Sequence, residues 1–305
     1  MSPLEFFIAG TISAATVYLL AALGELVAEK SGMLNLGVEG IMAVAAAVGF
    51  LTVYETGSHV LGFALAGLAG IGVALIFALV TITFLANQVA TGLAVGILGL
   101  GLSALIGKSY ESLTVRPLAD IPLPGLSDLP LVGPALFTHD IVVYLSVLLA
   151  LAIGYTLTRT KLGLMIRAVG ENPHAAHSLG QPVRLIRYGA VCFGGLLAGW
   201  AGAYASTVYT PLWADGMIAG RGWIAVALVV FGTWKTGRVM FGAYLFGLIS
   251  LGELMMQSLN VAIPSQFLAA MPYLVTILVL ASISSDRARL RLHAPFSLGD
   301  AYDGR

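Results

Sequence analysis

The sequence predicts an all-α polytopic membrane protein with about nine transmembrane helices. Its 305 residues are 58% hydrophobic and only 10% charged, whereas about 25% of the residues in an average soluble domain are charged. The mean hydropathy is +0.94, and the apolar stretches are long enough to cross a bilayer as helices. A soluble globular domain is therefore excluded.

Hydropathy and span length divide the chain into nine predicted spans. They lie near residues 6–26, 38–54, 60–85, 91–106, 140–158, 188–206, 222–234, 241–258 and 270–284. The seventh is too short to cross a bilayer as a straight helix, so we interpret it as a broken helix buried among the others. Because the N-terminus lacks the basic region of a signal peptide, we expect the first span to be retained.

One polar segment, residues 159–187, separates the two hydrophobic halves and is called the central loop. It carries five of the fifteen lysine and arginine residues and a single acid, Glu171. Loops rich in basic residues stay in the cytoplasm, and the arginines of the C-terminal tail place that tail on the same side. Counting spans back from the central loop puts residues 107–139 and the N-terminus outside.

A short helix is predicted inside the central loop. Asn172 suits its N-cap, Pro173 its first turn and Gly180 its end, so the helix is expected to run from Pro173 to Leu179. A helix this short is marginal in water. We therefore expect it to rest on another surface.

The predicted helix also offers a contact face. Ala175 and Ala176 are small and would allow a partner protein to approach closely. Arg167 stands four residues before Glu171, and an exposed pair at this spacing contributes only about 0.3–0.5 kcal/mol. Packing is therefore expected to matter more than charge in this contact.

Polar residues at two places near membrane depth are candidates for a solute path. Asn35 and Glu39 are expected on one face of a helix, four residues apart, and an acid at this depth usually faces a cavity or a partner. A capped turn that holds two spans together is the competing interpretation. Asn87 and Gln88 could bind a hydroxyl-rich solute with their amides, or form an ordinary turn between helices.

Four tryptophans lie in or beside the second half, at positions 200, 213, 223 and 234. Most are expected to anchor the chain at the membrane interface. One, Trp223, is a candidate for stacking on a ring of the solute.

No catalytic, metal or nucleotide site is predicted. His174 and His177 have no third ligand nearby, and the string Gly107-Lys108-Ser109 lacks the spacing and context of a phosphate-binding loop. The formal net charge of zero gives no basic surface for nucleic acid. The chain is therefore expected to bind no cofactor and to catalyse no reaction itself.

An internal repeat is visible in a single transmembrane domain. SGMLNLGVEGIMAVA at residues 31–45 echoes DGMIAGRGWIAVA at residues 215–227, although chance similarity of glycine- and alanine-rich segments is the alternative. The span count places the copies in opposite orientations, as in transporters whose path lies between inverted repeats. The predicted parts are a first repeat at about 6–106, an external loop at 107–139, a joining helix at 140–158, the central loop, a second repeat at about 188–284 and a tail at 285–305.

The central loop resembles a known element. Ala175, Ala176 and Gly180 form the pattern A-A-x-x-x-G, which resembles the EAA loop of ABC importer permeases. The strings VGENPHAA, GMLNLGVEG and NQVATG resemble the permease family for branched-chain amino acids, simple sugars and nucleosides. His174 departs from the pattern, because this loop usually has an acid there. The resemblance implies an ATPase-coupling loop that contains Arg167, Gly170, Glu171, Asn172, Pro173, His174, Ala175, Ala176 and Gly180.

The resemblance also implies a fold, a function and partners. The fold would be two inverted four-helix repeats, similar to vitamin B12-type ABC importer permeases but without their usual first helix. The chain would be the permease subunit of an ATP-driven importer for a nucleoside or a simple sugar, in the bacterial inner membrane. ATPase subunits would bind ATP and magnesium. A second, homologous permease chain and an extracytoplasmic solute-binding protein would complete the importer.

Two other classes remain open from the residues alone. An ion-coupled secondary transporter can also consist of inverted repeats, but it needs ion sites at membrane depth, for which the spans offer few candidates. A structural subunit that moves nothing is the third class, and the capped basic loop argues weakly against it. Dependence of transport on a separate ATPase would distinguish the importer from both.

Overall fold

A computed structural model of the chain describes residues 3–127, 133–258 and 294–304, together with positions 267, 270, 271, 274, 275, 277 and 278. The described part is mostly helical, as predicted. The predicted ninth span, residues 270–284, lies outside the described residues except at the single positions just given.

The described residues form eleven α-helices and one pair of short strands. The helices are α1 (Pro3–Lys30), α2 (Val38–Thr56), α3 (His59–Ala78, continued by the π-helical turn Leu79–Thr83), α4 (Gln88–Gly107, followed by the 3-10 turn Lys108–Tyr110), α5 (Gly133–Phe137), α6 (Ile141–Arg159), α7 (Lys161–Glu171), α8 (Pro173–Ser178), α9 (Val183–Tyr204, continued by the π-helical turn Ala205–Tyr209), α10 (Arg221–Phe231) and α11 (Thr236–Ser258). The strands β1 (Ile121–Pro122) and β2 (Thr138–His139) pair antiparallel in the loop between α4 and α6.

Seven helices of the described part are long and apolar enough to cross a membrane: α1, α2, α3, α4, α6, α9 and α11. They coincide with the first six predicted spans and the eighth. The predicted seventh span corresponds to α10, which has only 11 residues and is too short for a straight crossing. The chain is therefore an all-α, multi-pass membrane protein.

Helix α9 lies at the centre of the packed core, where it contacts α1, α2 and α3. Small residues allow the close approach: a side-chain carbon at Gly70 of α3 would overlap the carbonyl oxygen of Gly195 on α9, and one at Gly199 would overlap that of Ala66. Helix association in membranes depends on such close packing. Gly195 and Gly199 therefore let the backbones of α9 and α3 come into contact.

The central loop contains a helix that was not predicted, α7. Its first turn is capped by the Thr160 hydroxyl, which accepts the backbone N–H of Gly163 (3.1 Å). The helix buries Gly163, Ile166 and Val169 at helical spacing. Hydropathy averaging did not detect this apolar face, because the strongly polar basic residues of the stretch lower the average hydropathy more than the few apolar residues raise it.

Two tryptophans differ from the prediction of interfacial anchors. Trp213 is 1% exposed, and its ring centroid lies 6.0 Å from that of Phe50. It fills the space beside Gly107, where a side-chain carbon would overlap the indole. Trp234 is buried as well. These two residues belong to the core.

Candidate functional site

The segment between α1 and α2 turns back along α1. Gly32 has a φ of +88°, a conformation that favours glycine. The backbone N–H of Asn35 then donates to the Glu25 carboxylate (3.0 Å), and the Asn35 side chain accepts the N–H of Gly37 (3.0 Å) just before α2. Asn35 thus precedes the helix, and the prediction that it shares a helix face with Glu39 is wrong.

Glu39 joins the first turn of α2 to the first turn of α10. Its two carboxylate oxygens accept the backbone N–H groups of Gly220 (2.6 Å) and Gly222 (2.7 Å). N–H groups at a helix start lack partners within the helix and form the positive end of its dipole. Since the N-cap residue Gly220 has no side chain to satisfy them, Glu39 caps α10 from the other half of the chain.

A second acid of the first half holds the far end of α10. Trp234, in the turn after α10, donates its indole N–H to the Glu29 carboxylate (2.5 Å). Thr233 and Trp234 both have positive φ, 47° and 53°, which is strained for a β-branched or bulky residue. Both ends of α10 are therefore fixed to the first half by buried carboxylates.

The two copies of the predicted repeat meet at residues 32–39 and 220–223, which we call the junction. Gly32 and Gly216, which occupy matching places in the two strings, have φ values of +88° and +69°. In each copy a turn at this glycine leads to a helix start. Trp223, in the first turn of α10, is 41% exposed, so the junction presents an aromatic ring at the surface of the chain.

The predicted pair Asn87 and Gln88 lies at the start of α4. The Asn87 side chain accepts the N–H of Ala90 (3.0 Å) and caps the helix. Gln88 is 2% exposed; its oxygen accepts the N–H of Leu34 (2.7 Å) and its nitrogen donates to the Asp300 carbonyl (3.2 Å). Gln88 therefore links α4 to the junction and to the C-terminal tail, whereas Asn87 is exposed.

Helix α8 is the helix predicted inside the central loop, and it ends one residue earlier than expected, at Ser178. The Asn172 side chain accepts the N–H of Ala175 (2.9 Å). Gly180, with a φ of +79°, donates its N–H to the His177 carbonyl (2.8 Å). Both predicted caps are confirmed.

The two faces of α8 differ in exposure. Pro173 and Ala176 are buried, whereas His174 and Ala175 are exposed and Leu179, just after the helix, is 80% exposed. Consecutive residues of a helix do not share a face. The prediction that Ala175 and Ala176 form one outward contact face is therefore wrong for Ala176, which faces the protein.

The central loop is attached to the end of α1. A side-chain carbon at Gly170 would overlap the Lys30 carbonyl oxygen, so glycine allows the two backbones to touch. Arg167 and Glu171 both lie close enough to Lys30 for electrostatic interaction with its ammonium group. Arg167 donates its Nε to the Gly163 carbonyl (3.4 Å). The end of α7 therefore lies beside the turn that leads into the junction.

Residues 7–280 match the family model described as branched-chain amino acid transport system / permease component. The chain belongs to this permease family. TsgC13 of Haloferax volcanii, provisionally named a glucose ABC transporter permease, is 42% identical over 96% of both chains. The guanosine ABC transporter permease NupQ of Bacillus subtilis is 33% identical over 98% of this chain and 97% of its own. The nucleoside ABC transporter permease NupC of Lactococcus lactis is 30% identical over 92% and 93%.

No solved structure matches the permease. Its family and its apolar helices make it a multi-pass protein of the cell membrane. Its relatives are permease subunits of ABC transporters, and this chain is likewise a transport subunit of an ABC importer.

Sequence reasoning assigned no individual role to several residues that shape the site of the permease. Glu25 and Glu29 lie four apart near the end of an apolar span, and the rarity of acids in spans was a usable signal. Their partners, the Asn35 backbone and the Trp234 indole, are not visible from spacing. The tail residues that contact Gln88 gave no signal, because they contribute mostly backbone groups.

Proposed function

We propose that this permease and a second permease chain form the translocation path for a nucleoside or a simple sugar. The relatives above are named for glucose, guanosine and nucleosides, which share hydroxyl groups and flat or compact rings. Separate ATPase subunits bind ATP and magnesium and hydrolyse the nucleotide. An extracytoplasmic binding protein delivers the solute. Membership in this family favours ATP-driven import over ion-coupled transport.

The proposed architecture has nine spans in two inverted four-helix repeats, on the plan of vitamin B12-type permeases without their first helix. Seven long helices and the short α10 account for eight of the spans, and the predicted ninth, residues 270–284, falls mostly outside the described residues. The contacts of α10 support the inversion. Helix α10 starts beside the start of α2 and ends beside the end of α1, so from a common starting level it runs back toward the end of α1, whereas α2 runs away from it.

The proposed path runs past the junction. In many transporters short helices start near the binding region, and α10, with 11 residues, is a short helix that starts at the junction. Trp223 supplies a ring for stacking on a base or a sugar, and the exposed amide of Asn87 offers hydrogen bonds. Asn35, Glu39 and Gln88 hold this region in shape from behind.

The proposed contact with the ATPase is made by α8. The observation that carries this proposal is the division of α8 into a buried face and an exposed face that ends with the apolar Leu179. A capped helix that is fixed to the protein on one side has a well-ordered exposed face on the other, and such a face can dock into a groove on a partner protein. Ala175 lies on that exposed face.

The test replaces Ala175 with arginine and measures the ATPase recovered with the purified permease, together with solute uptake. A long cation on the exposed face would block close docking, so both quantities are expected to fall at least about tenfold. Ala119→Arg, at an exposed alanine of the loop between α4 and α6, is the matched control and should leave both unchanged. Full ATPase recovery with Ala175→Arg would exclude α8 as the docking helix.

A further inference from the structure

The C-terminal residues 294–304, which we call the tail segment, lie against the central loop and the turn after α1. Ser297 donates both its backbone N–H and its hydroxyl to the Gly170 carbonyl at the end of α7 (3.0 and 2.7 Å). The N–H of Gly299 donates to the Gly32 carbonyl (3.2 Å). The tail segment therefore joins the end of α7 to the junction.

A buried arginine of α9 holds the middle of the tail segment. Arg187 is 2% exposed and donates to the Asp300 carbonyl (3.1 Å) and the Ser297 hydroxyl (3.3 Å). The same Asp300 carbonyl accepts from Gln88 of α4 (3.2 Å). A buried cation requires acceptors around it, and the tail segment supplies them. This connects α9, α4 and the tail segment through one carbonyl group.

Tyr302 fills the space beneath α8. It is 4% exposed and packs in one apolar cluster with Ala176 of α8, Val169 of α7 and Val183 of α9. Its ring lies edge-on to the His174 ring, with 5.1 Å between the ring centroids. Because a helix of 6 residues has little stability of its own, α8 depends on this support for its position.

We propose that the tail segment positions α8 for its contact with the ATPase and connects displacements of α8 to the junction. This inference rests on the proposed coupling role of the central loop. Coupling between distant sites requires packed or hydrogen-bonded groups that move together. The tail segment provides such groups, from Tyr302 under α8 through Asp300 at Gln88 to Gly299 at Gly32. Tyr302 is the positioning residue of this device.

The test compares Tyr302→Ala with Tyr302→Phe in the importer reconstituted from the permease, its partner permease, the ATPase and the binding protein. The Tyr302 hydroxyl is buried and has no hydrogen-bond partner within the described part of the chain, so phenylalanine preserves the packing that alanine removes. The readouts are solute moved per ATP hydrolysed and uptake per amount of folded permease. A chain that ends at residue 293 and Ser297→Ala are further variants.

We expect Tyr302→Ala and the shortened chain to lower the solute moved per ATP about tenfold, within the usual range of coupling between sites. Ser297→Ala should give a smaller loss, and Tyr302→Phe should behave like the unchanged chain. A merely structural defect would lower the amount of folded permease but leave solute moved per ATP unchanged. Such a structural defect would overturn the inference. So would wild-type coupling in all variants, and so would a loss with Tyr302→Phe as large as that with Tyr302→Ala.

The outcome is distinct from that of the Ala175→Arg test. If Ala175→Arg prevents ATPase recovery while the tail variants remain coupled, α8 docks the ATPase and only the role of the tail segment is wrong. If Ala175→Arg has no effect, the docking role of α8 fails, and the tail inference fails with it.

Discussion

At the scale of single residues, three buried acids of the membrane-spanning helices accept hydrogen bonds from backbone and indole donors. Glu39 accepts two N–H groups at the start of α10, Glu25 accepts the Asn35 N–H, and Glu29 accepts the Trp234 indole N–H. A buried acid is tolerated when such donors surround it. These three side chains therefore hold separate segments of the chain together, and those of Glu29 and Glu39 join the two halves.

The change Glu39→Gln tests this interpretation. Glutamine has one accepting oxygen, and its NH₂ group would face one of the two helix N–H donors, which would then lack a partner. We expect the free energy of unfolding to fall by about 1.5–3 kcal/mol, the contribution of a hydrogen bond to a charged group, measured by thermal unfolding of the purified permease. Glu55→Gln is the control, because the exposed Glu55 accepts the Tyr110 hydroxyl (2.9 Å), which glutamine can also accept. Equal stability of the two variants would contradict the capping role.

At the scale of elements, glycine contacts determine how α9 packs against α3. The carbonyl oxygen of Gly195 lies where a side chain at Gly70 would be, and a side-chain carbon at Gly199 would overlap the Ala66 carbonyl oxygen of α3. Without a strong hydrophobic force between helices in lipid, such close surfaces provide much of the association energy. Burial of α9 on several sides makes this packing the central contact of the molecule.

Two neighbouring glycines of α3 allow a matched experiment. Gly70→Ala places a methyl group against the Gly195 carbonyl, and this overpacking should cost about 1–3 kcal/mol. Gly72→Ala meets no atom within 4 Å, so the higher helix propensity of alanine should leave stability unchanged or raise it by up to about 1 kcal/mol. Thermal unfolding and elution as a single species in detergent would measure both. A Gly72→Ala variant as unstable as Gly70→Ala would show that the α3–α9 contact is not responsible.

At the scale of the whole molecule, we expect the central loop and the tail segment on one side of the membrane and the loop between α4 and α6 on the other. The tail segment contacts the end of α7, in the central loop. Between residue 119 and residue 178, α6 is the one helix of the described chain that can span a membrane. We therefore expect the two positions to face opposite sides of the bilayer.

Cysteine labelling in a Cys192→Ala background tests this topology. Both Ala119 and Ser178 are exposed. Since basic loops are expected in the cytoplasm, an impermeant thiol reagent should label Ala119→Cys in intact cells and Ser178→Cys only after lysis. Labelling of Ser178→Cys in intact cells would reverse the orientation, and identical behaviour of the two variants would mean that α6 does not cross the membrane.

The sequence by itself determined the features that depend on local chemistry. Long apolar stretches specify the spans, because only helices satisfy their backbone within lipid, and Asn172, Pro173 and Gly180 specify the limits of α8 through cap geometry. The short seventh span was also predictable from its length. The family followed from strings such as VGENPHAA, although the solute path remains a proposal.

Only the tertiary structure decided which polar groups meet. Asn35 lies in a loop and Glu39 in a helix, and Glu39 reaches Gly220 and Gly222, more than 180 residues away. The inward direction of Ala176 depends on Tyr302, which reaches α8 only when the chain is folded. Spacing along the chain describes neighbours within one helix, whereas contacts between helices depend on how backbones pack, which no single segment specifies.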